Sequence, residues 1–165
     1  MRTSLLVSAA LAALLSPCAF AASSSPLLLV LEKQDKTMAF VDPANGKILN
    51  RVAVGDDPHE VVVSDDGKTA YISNYGGPGG LLHTISVVDL VSQKSLPPID
   101  LGIFHSAHGL VFAGGELYFT AEASKIIGRY DVKARQIDWI LGTGQNRSHM
   151  LELSKDLSTI YLANV

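Results

Sequence analysis

The chain is 165 residues long, with 13 Lys and Arg against 16 Asp and Glu, a formal net charge of −3 and 47% apolar residues. That is enough apolar surface for a core, and a mildly acidic chain without a basic cluster makes a poor nucleic-acid binder.

The first segment, MRTSLLVSAALAALLSPCAFAA, sets Arg2 before an apolar run from Leu5 to Leu15 and an Ala19-Phe20-Ala21 triplet. This pattern predicts a cleaved export signal over residues 1–21, too short and wrongly flanked for a membrane span, and hence a periplasmic or secreted protein. Leu15-Ser16-Pro17-Cys18 fits a lipoprotein signal badly, because proline stands directly before the cysteine. Cys18 is the chain's single cysteine, so the mature chain would rely on packing without a disulfide. Cleavage removes Arg2, leaving 12 Lys and Arg against 16 acidic residues, a formal charge of −4. Residues 22–25 read as a short leader to a domain over 22–165.

From there the chain repeats itself. A histidine opens an apolar run at His59, His108 and His149. A tyrosine strand recurs at Tyr71-Ile-Ser-Asn, Tyr118-Phe-Thr-Ala and Tyr161-Leu-Ala-Asn, and an aspartate closes a strand at Asp42, Asp89 and Asp131. Within one period, short alternating or apolar runs are broken by turn chemistry such as Ser64-Asp65-Asp66-Gly67-Lys68 and Asp42-Pro43-Ala44-Asn45-Gly46-Lys47. No window offers a long helix. Four short strands per unit predict an all-β fold, a β-propeller of four-stranded antiparallel blades.

With strands lettered a to d outward from the channel, the expected units are about 26–57, 58–107, 108–148 and 149–165. The first starts at strand b (Leu27 to Glu32, then Thr37 to Asp42 and Lys47 to Val54). The last holds only a (Met150 to Leu153) and b (Ile160 to Ala163). About three blades fall short of a ring of about four to eight. The expectation is the N-terminal piece of a longer, seven-bladed chain, with ring closure by several copies as the alternative. Open strand edges predict that the piece folds poorly alone.

Pro58-His59, the Ser64 to Lys68 turn and Tyr71-Ile72-Ser73-Asn74 resemble the YVTN-type β-propeller repeat family, whose units carry a Pro-His start, a Ser-x-Asp-Gly turn and a Tyr-Val-x-Asn strand. The resemblance covers nearly all of the mature chain. It departs at Ala113-Gly114-Gly115-Glu116 and at Ser154-Lys155-Asp156-Leu157. Such propellers are similar to lactone hydrolases, to beta chains of some quinoprotein dehydrogenases and to many extracytoplasmic proteins. The resemblance therefore implies architecture and location and leaves activity open.

Blade geometry puts the d-to-a and b-to-c connections on one mouth of the channel. His59, His105, His108, Arg147 and His149 fall in or beside the former; Asn74, Tyr75, His83 and Glu122 fall in or beside the latter. The candidate ligand-binding residues are His59, His108, His149, Asn74, Glu122 and Arg147. A histidine recurring once per blade either fixes the turn into strand a or rims a ligand site. Convergence of His59, His108 and His149 on one divalent metal is the third alternative. Glu122 is read as standing where an asparagine is expected, either as a ligand or as a solvated loop residue. The matched tyrosines are expected between blades, with Asn74 and Asn164 following the same logic.

His105-Ser106-Ala107-His108 has H-x-x-H spacing on a loop, a weak metal signal. The glycine-rich loop from Asn74 to Leu81 lacks both the helix and the Gly-Lys-Ser/Thr ending of a phosphate site, so a plain long hairpin is expected. Asn146-Arg147-Ser148 is a formal glycosylation sequon. No Gly-x-Ser-x-Gly elbow and no thiol outside the signal supports covalent catalysis. The leading expectation is a binding scaffold for a small molecule or protein. The alternatives are a metal-dependent hydrolase resembling lactonases, with Glu122 and Asn74 as local cage candidates, and an accessory subunit of a periplasmic redox system.

Overall fold

The computed structural model describes residues 26–165; the expected export signal, with the leader, lies outside the described residues. Strands and turns build all of it, with no helix among the described residues. Strands β1 (Leu28–Glu32), β2 (Thr37–Asp42) and β3 (Lys47–Ala53) form a three-stranded antiparallel sheet. Next come β4 (Pro58–Val63), β5 (Thr69–Asn74), the two-residue β6 (Gly76–Gly77) and β7 (Gly80–Leu81), β8 (Thr84–Asp89) and β9 (Lys94–Asp100). They give a four-stranded sheet in the order β4-β5-β8-β9, with β6 and β7 paired to each other. A second four-stranded sheet follows from β10 (Ala107–Ala113), β11 (Glu116–Ala121), β12 (Ile126–Asp131) and β13 (Gln136–Gly142). The last pair is β14 (Ser148–Leu153) with β15 (Ile160–Asn164). Consecutive antiparallel strands in spatial order, sheet stacked on sheet, make these the blades of a β-propeller.

Strand alternation explains the packing, because successive side chains point to opposite faces. In β5, Ala70 and Ile72 pack with Met38, Phe40 and Val52 of the preceding sheet, whereas Tyr71 packs with Leu110, Leu117 and Phe119 of the following one. This middle sheet thus has apolar side chains on both faces, which is why its strands read as near-continuous apolar runs. Gly128 lies opposite Phe119, whose ring occupies the space a Cβ would need, at 2.2 Å.

Turn chemistry sets the hairpins. Gly67 takes φ 70° between β4 and β5, with Asp66 Oδ1 accepting from Ser64 Oγ at 2.7 Å and from the Lys68 amide at 3.1 Å. The last sheet repeats the device without glycine: Leu157 takes φ 59°, and Asp156 Oδ1 accepts from Ser154 Oγ at 2.7 Å. The aspartate therefore holds the turn, and glycine only eases it. Where the aspartate is missing, Gly114 and Gly115 both take positive φ (62° and 85°), as a two-residue hairpin turn of mirror type requires.

The matched tyrosines diverge in environment. Tyr71 is buried and stacks on Phe112 with ring centroids 5.4 Å apart; Tyr118 is half-buried; Tyr161 is 61% exposed on the last described sheet. Asn74 is buried as expected, but Asn164 is exposed.

Candidate functional site

The three repeated histidines share a backbone device. Strand a of every sheet that has one carries a one-residue bulge: two residues between Pro58 and Val61 face only Ser73, two between Ala107 and Leu110 face only Thr120, and His149 is the extra residue between Ser148 and Met150. His59 and His108 lie in these same irregular stretches. A β-bulge redirects side chains and sharpens twist. Two positions earlier, Asp57, Ser106 and Arg147 all take left-handed φ (50°, 59° and 48°), a conformation disfavoured for residues with a Cβ. The strand therefore starts earlier than its apolar run suggests, at Ser148 instead of Met150 in the last sheet.

These bulges bring the imidazoles together. Ring centroids of His59 and His108 are 4.4 Å apart and those of His108 and His149 are 3.9 Å apart. Tyr75, just after β5, lies 4.9 Å from His59 and meets His108 edge-on at 5.9 Å. Close approach between the last two sheets needs Gly109: a Cβ there would lie 2.6 Å from the His149 carbonyl oxygen. Thr120 Oγ1 sits beneath, accepting from the Gly109 amide at 2.8 Å and donating to the His149 carbonyl at 2.7 Å. Ser73 does the first half of this job one sheet earlier, accepting from the Glu60 amide at 3.0 Å.

Each histidine has its own hydrogen-bonding surroundings. His59 Nδ1 donates to the Asp57 carbonyl at 3.0 Å, so in the neutral ring Nε2 carries the lone pair that accepts from Lys33 Nζ at 2.9 Å. Lys33 also lies 3.4 Å from Asp57 Oδ1. His108 is buried, and its Nδ1 has no partner. Burial, reinforced by the charges of His149 and His59, pushes its imidazole down to about 4, so it is neutral at pH 7. His149 Nδ1 donates to Glu122 Oε1 in a short hydrogen bond.

Glu122 is buried to 4% exposure yet ionised. Burial works to raise its carboxyl, but hydrogen bonds from His149 and from Tyr75 Oη, at 2.7 Å, hold it below the ordinary carboxylate value. The same bond to Glu122 raises the Tyr75 phenol. Arg147, exposed, sets Nε 3.7 Å from Glu122 Oε2.

Glu122 does not occupy the asparagine position expected from the sequence. Ala121 pairs with Ala107 as Asn74 pairs with Pro58, so Ala121 matches Asn74 and Glu122 matches Tyr75. Lys33, first after β1, fills the same slot in the first sheet. The slot's side chain reaches the next sheet's histidine in every case: Lys33 to His59, Tyr75 to His108, Glu122 to His149.

Five of the six candidate residues thus gather at the mouth: His59, His108, His149, Glu122 and Arg147. Asn74 supports it from below. Its Oδ1 accepts from the Gly55 amide at 3.2 Å, and its Nδ2 donates to Thr84 Oγ1 at 3.0 Å and Ser86 Oγ at 2.9 Å. The metal-competent group is also different from three histidines: His108, Glu122 and His149 each bring a ligand atom within 4.8 Å of the others, while both ring nitrogens of His59 are engaged. Lys33 and Asp57 went unnoticed in the sequence; the signal for Lys33 was its place directly after strand b. The H-x-x-H spacing does not converge, since His105 turns to His83 with centroids 5.6 Å apart. The glycine-rich loop is a hairpin, Gly76 pairing with Leu81 and Gly77 with Gly80.

The class that fold and mouth define is a β-propeller with a polar, aromatic-rich channel rim. Among solved structures the chain is similar to Kuenenia stuttgartiensis hydrazine synthase, with a TM-score of 0.73 and 22% identity over 84% of this chain. It spans 38% of the length of that neighbour, and likeness at this identity carries the fold alone. No family model and no curated protein matches.

Proposed function

We propose that this chain is an exported, YVTN-like propeller scaffold that binds a small molecule or a protein partner at its histidine-bearing mouth, within a ring of seven blades. The observation that carries the reading is convergence: three sheets contribute His59, His108 and His149 to one continuous row of tilted ring contacts. A bulge and a left-handed residue at the start of each of the three strands hold it, and backbone irregularity of this kind clusters at ligand sites. Pull-down and ligand screens compare the protein with a His59/His108/His149 triple alanine variant. Partner capture lost by a folded variant is the expected result; capture unchanged would overturn the mouth assignment.

A metal-dependent hydrolase resembling lactonases is the second reading, favoured by the buried carboxylate beside two imidazoles. A lactone-hydrolysis assay with and without chelator separates it from the scaffold, which turns over no lactone.

A further inference from the structure

The mouth contains two kinds of histidine. His59 has both nitrogens engaged, one by a backbone carbonyl and one by Lys33. His108 is 5% exposed and its Nδ1 makes no hydrogen bond at all. A buried, unpartnered polar nitrogen destabilises by about 1–3 kcal/mol, so a fold that keeps one has a reason for it. Its neighbours supply the reason. Glu122 is a carboxylate almost out of contact with water, and His149 is the imidazole beside it. We propose that His108, Glu122 and His149 form a binding site for a divalent transition-metal ion of the zinc class, open on the channel side for a further ligand.

Donor chemistry selects the ion. Two imidazoles and one carboxylate are borderline ligands, suited to zinc and its neighbours and poor for calcium, which takes six to eight oxygens. The ligand atoms lie within 4.8 Å of one another. Donors on a tetrahedral zinc sit about 3.3 Å apart, as bonds of about 2.0–2.2 Å dictate, so small side-chain rotations close the site. The ion takes the place of the hydrogen-bonded proton between His149 and Glu122. Tyr75 is a positioning residue: its hydroxyl holds Glu122 Oε2 and leaves Oε1 turned toward His149. The three ligands come from two sheets, with Gly109 and Thr120 fixing their separation. The side chain of His149 is 27% exposed and marks the open side.

This inference rests on the mouth being the ligand-binding face and names the ligand class there. The test is calorimetric titration of chelator-stripped, full-length protein with Zn²⁺ and, separately, Ca²⁺. Far-UV circular dichroism confirms the fold of each variant, and the absorption of bound Co²⁺ reports coordination number. One Zn²⁺ per chain, no Ca²⁺ and a four-coordinate Co²⁺ spectrum are expected. Glu122→Gln and His108→Asn should abolish measurable Zn²⁺ binding, Tyr75→Phe should weaken it about 10- to 100-fold, and His105→Ala should leave it unchanged. No Zn²⁺ binding by the folded wild type, binding undiminished in Glu122→Gln and His108→Asn, or binding lost in His105→Ala would each overturn the proposal. Running the partner screen on the stripped protein keeps the two readings apart. Capture without Zn²⁺ binding sinks the metal site alone, and Zn²⁺ binding without any capture sinks the partner reading alone.

Discussion

Gly109→Ala separates two effects of opposite sign. Gly109 has no positive φ, so alanine fits its backbone conformation, and a Gly to Ala change at such a site ordinarily stabilises by about 0.4–1 kcal/mol through the unfolded chain. The added methyl, however, would lie 2.6 Å from the His149 carbonyl oxygen, 3.0 Å from Met150 Cα and 3.1 Å from Leu151 Cδ2. Two of these neighbours are backbone, so β14 must move away by several tenths of an ångström to reach ordinary contact. Overpacking of this kind costs about 1–3 kcal/mol. The shift also pulls the His149 carbonyl from Thr120 Oγ1, a bond of 2.7 Å worth about 1 kcal/mol. The net expectation is a loss of about 2 kcal/mol. Equilibrium urea unfolding measures it, with the m-value checked for constancy. A variant as stable as the wild type, or more so, would refute the claim that this glycine is required by the close approach of the two sheets.

Two further outcomes are expected. His108 should make stability fall on acidification: its folded value of about 4 lies below the 6.5 of a free imidazole, so above pH 6.5 neither state binds the proton, and between 6.5 and 4 the unfolded state takes it first. The stability present above 6.5 is lost as pH drops toward 4, by at most about 3 kcal/mol and less where channel water screens the ring. Urea midpoints at several pH values, compared with His108→Asn, isolate this share; identical pH slopes in both proteins would contradict it. Asn74→Ala should lower stability by about 1–3 kcal/mol, since it strips the half-buried Thr84 and Ser86 hydroxyls of a partner and opens a void beside Gly55. An unchanged denaturation midpoint would show that these bonds carry no net stability.

The fold was legible because a blade is a local object. Four strands joined by short turns leave their period in the sequence, and Asp66 or Asp156 marks the first hairpin of two sheets whether or not glycine follows, while Gly114-Gly115 marks that of the third. That the histidines share one mouth was legible for the same reason, since repeat position decides which end of a strand a residue occupies. Two things were not. A bulge adds one residue to a strand without altering its hydrophobic pattern, so nothing in Pro58-His59-Glu60 or Ala107-His108-Gly109 announces where the ring is aimed. Nor does strand pattern fix the boundary between strand b and its loop. A one-residue error there set Glu122 against Asn74, a buried scaffold residue, when it belongs with Tyr75 and Lys33.

That slot explains how three similar histidines acquire different properties from one backbone. The residue after strand b faces the next sheet's strand a, so its chemistry is imposed on the next histidine. Lysine gives a donor, and His59 must present a lone pair. The Tyr75 ring meets His108 edge-on while its hydroxyl turns to Glu122, so the phenol leaves the His108 nitrogen unpartnered. Glutamate gives an acceptor, and His149 must present a proton. Lys33 and Glu122 therefore stand at opposite ends of the histidine row, with the neutral, unpartnered ring between them. Each end is itself a pair of opposite charges, Lys33 with Asp57 and Glu122 with Arg147, so what varies along the mouth is the hydrogen-bonding role imposed on each imidazole, a difference that the repeated strands by themselves, being equivalent, could not supply.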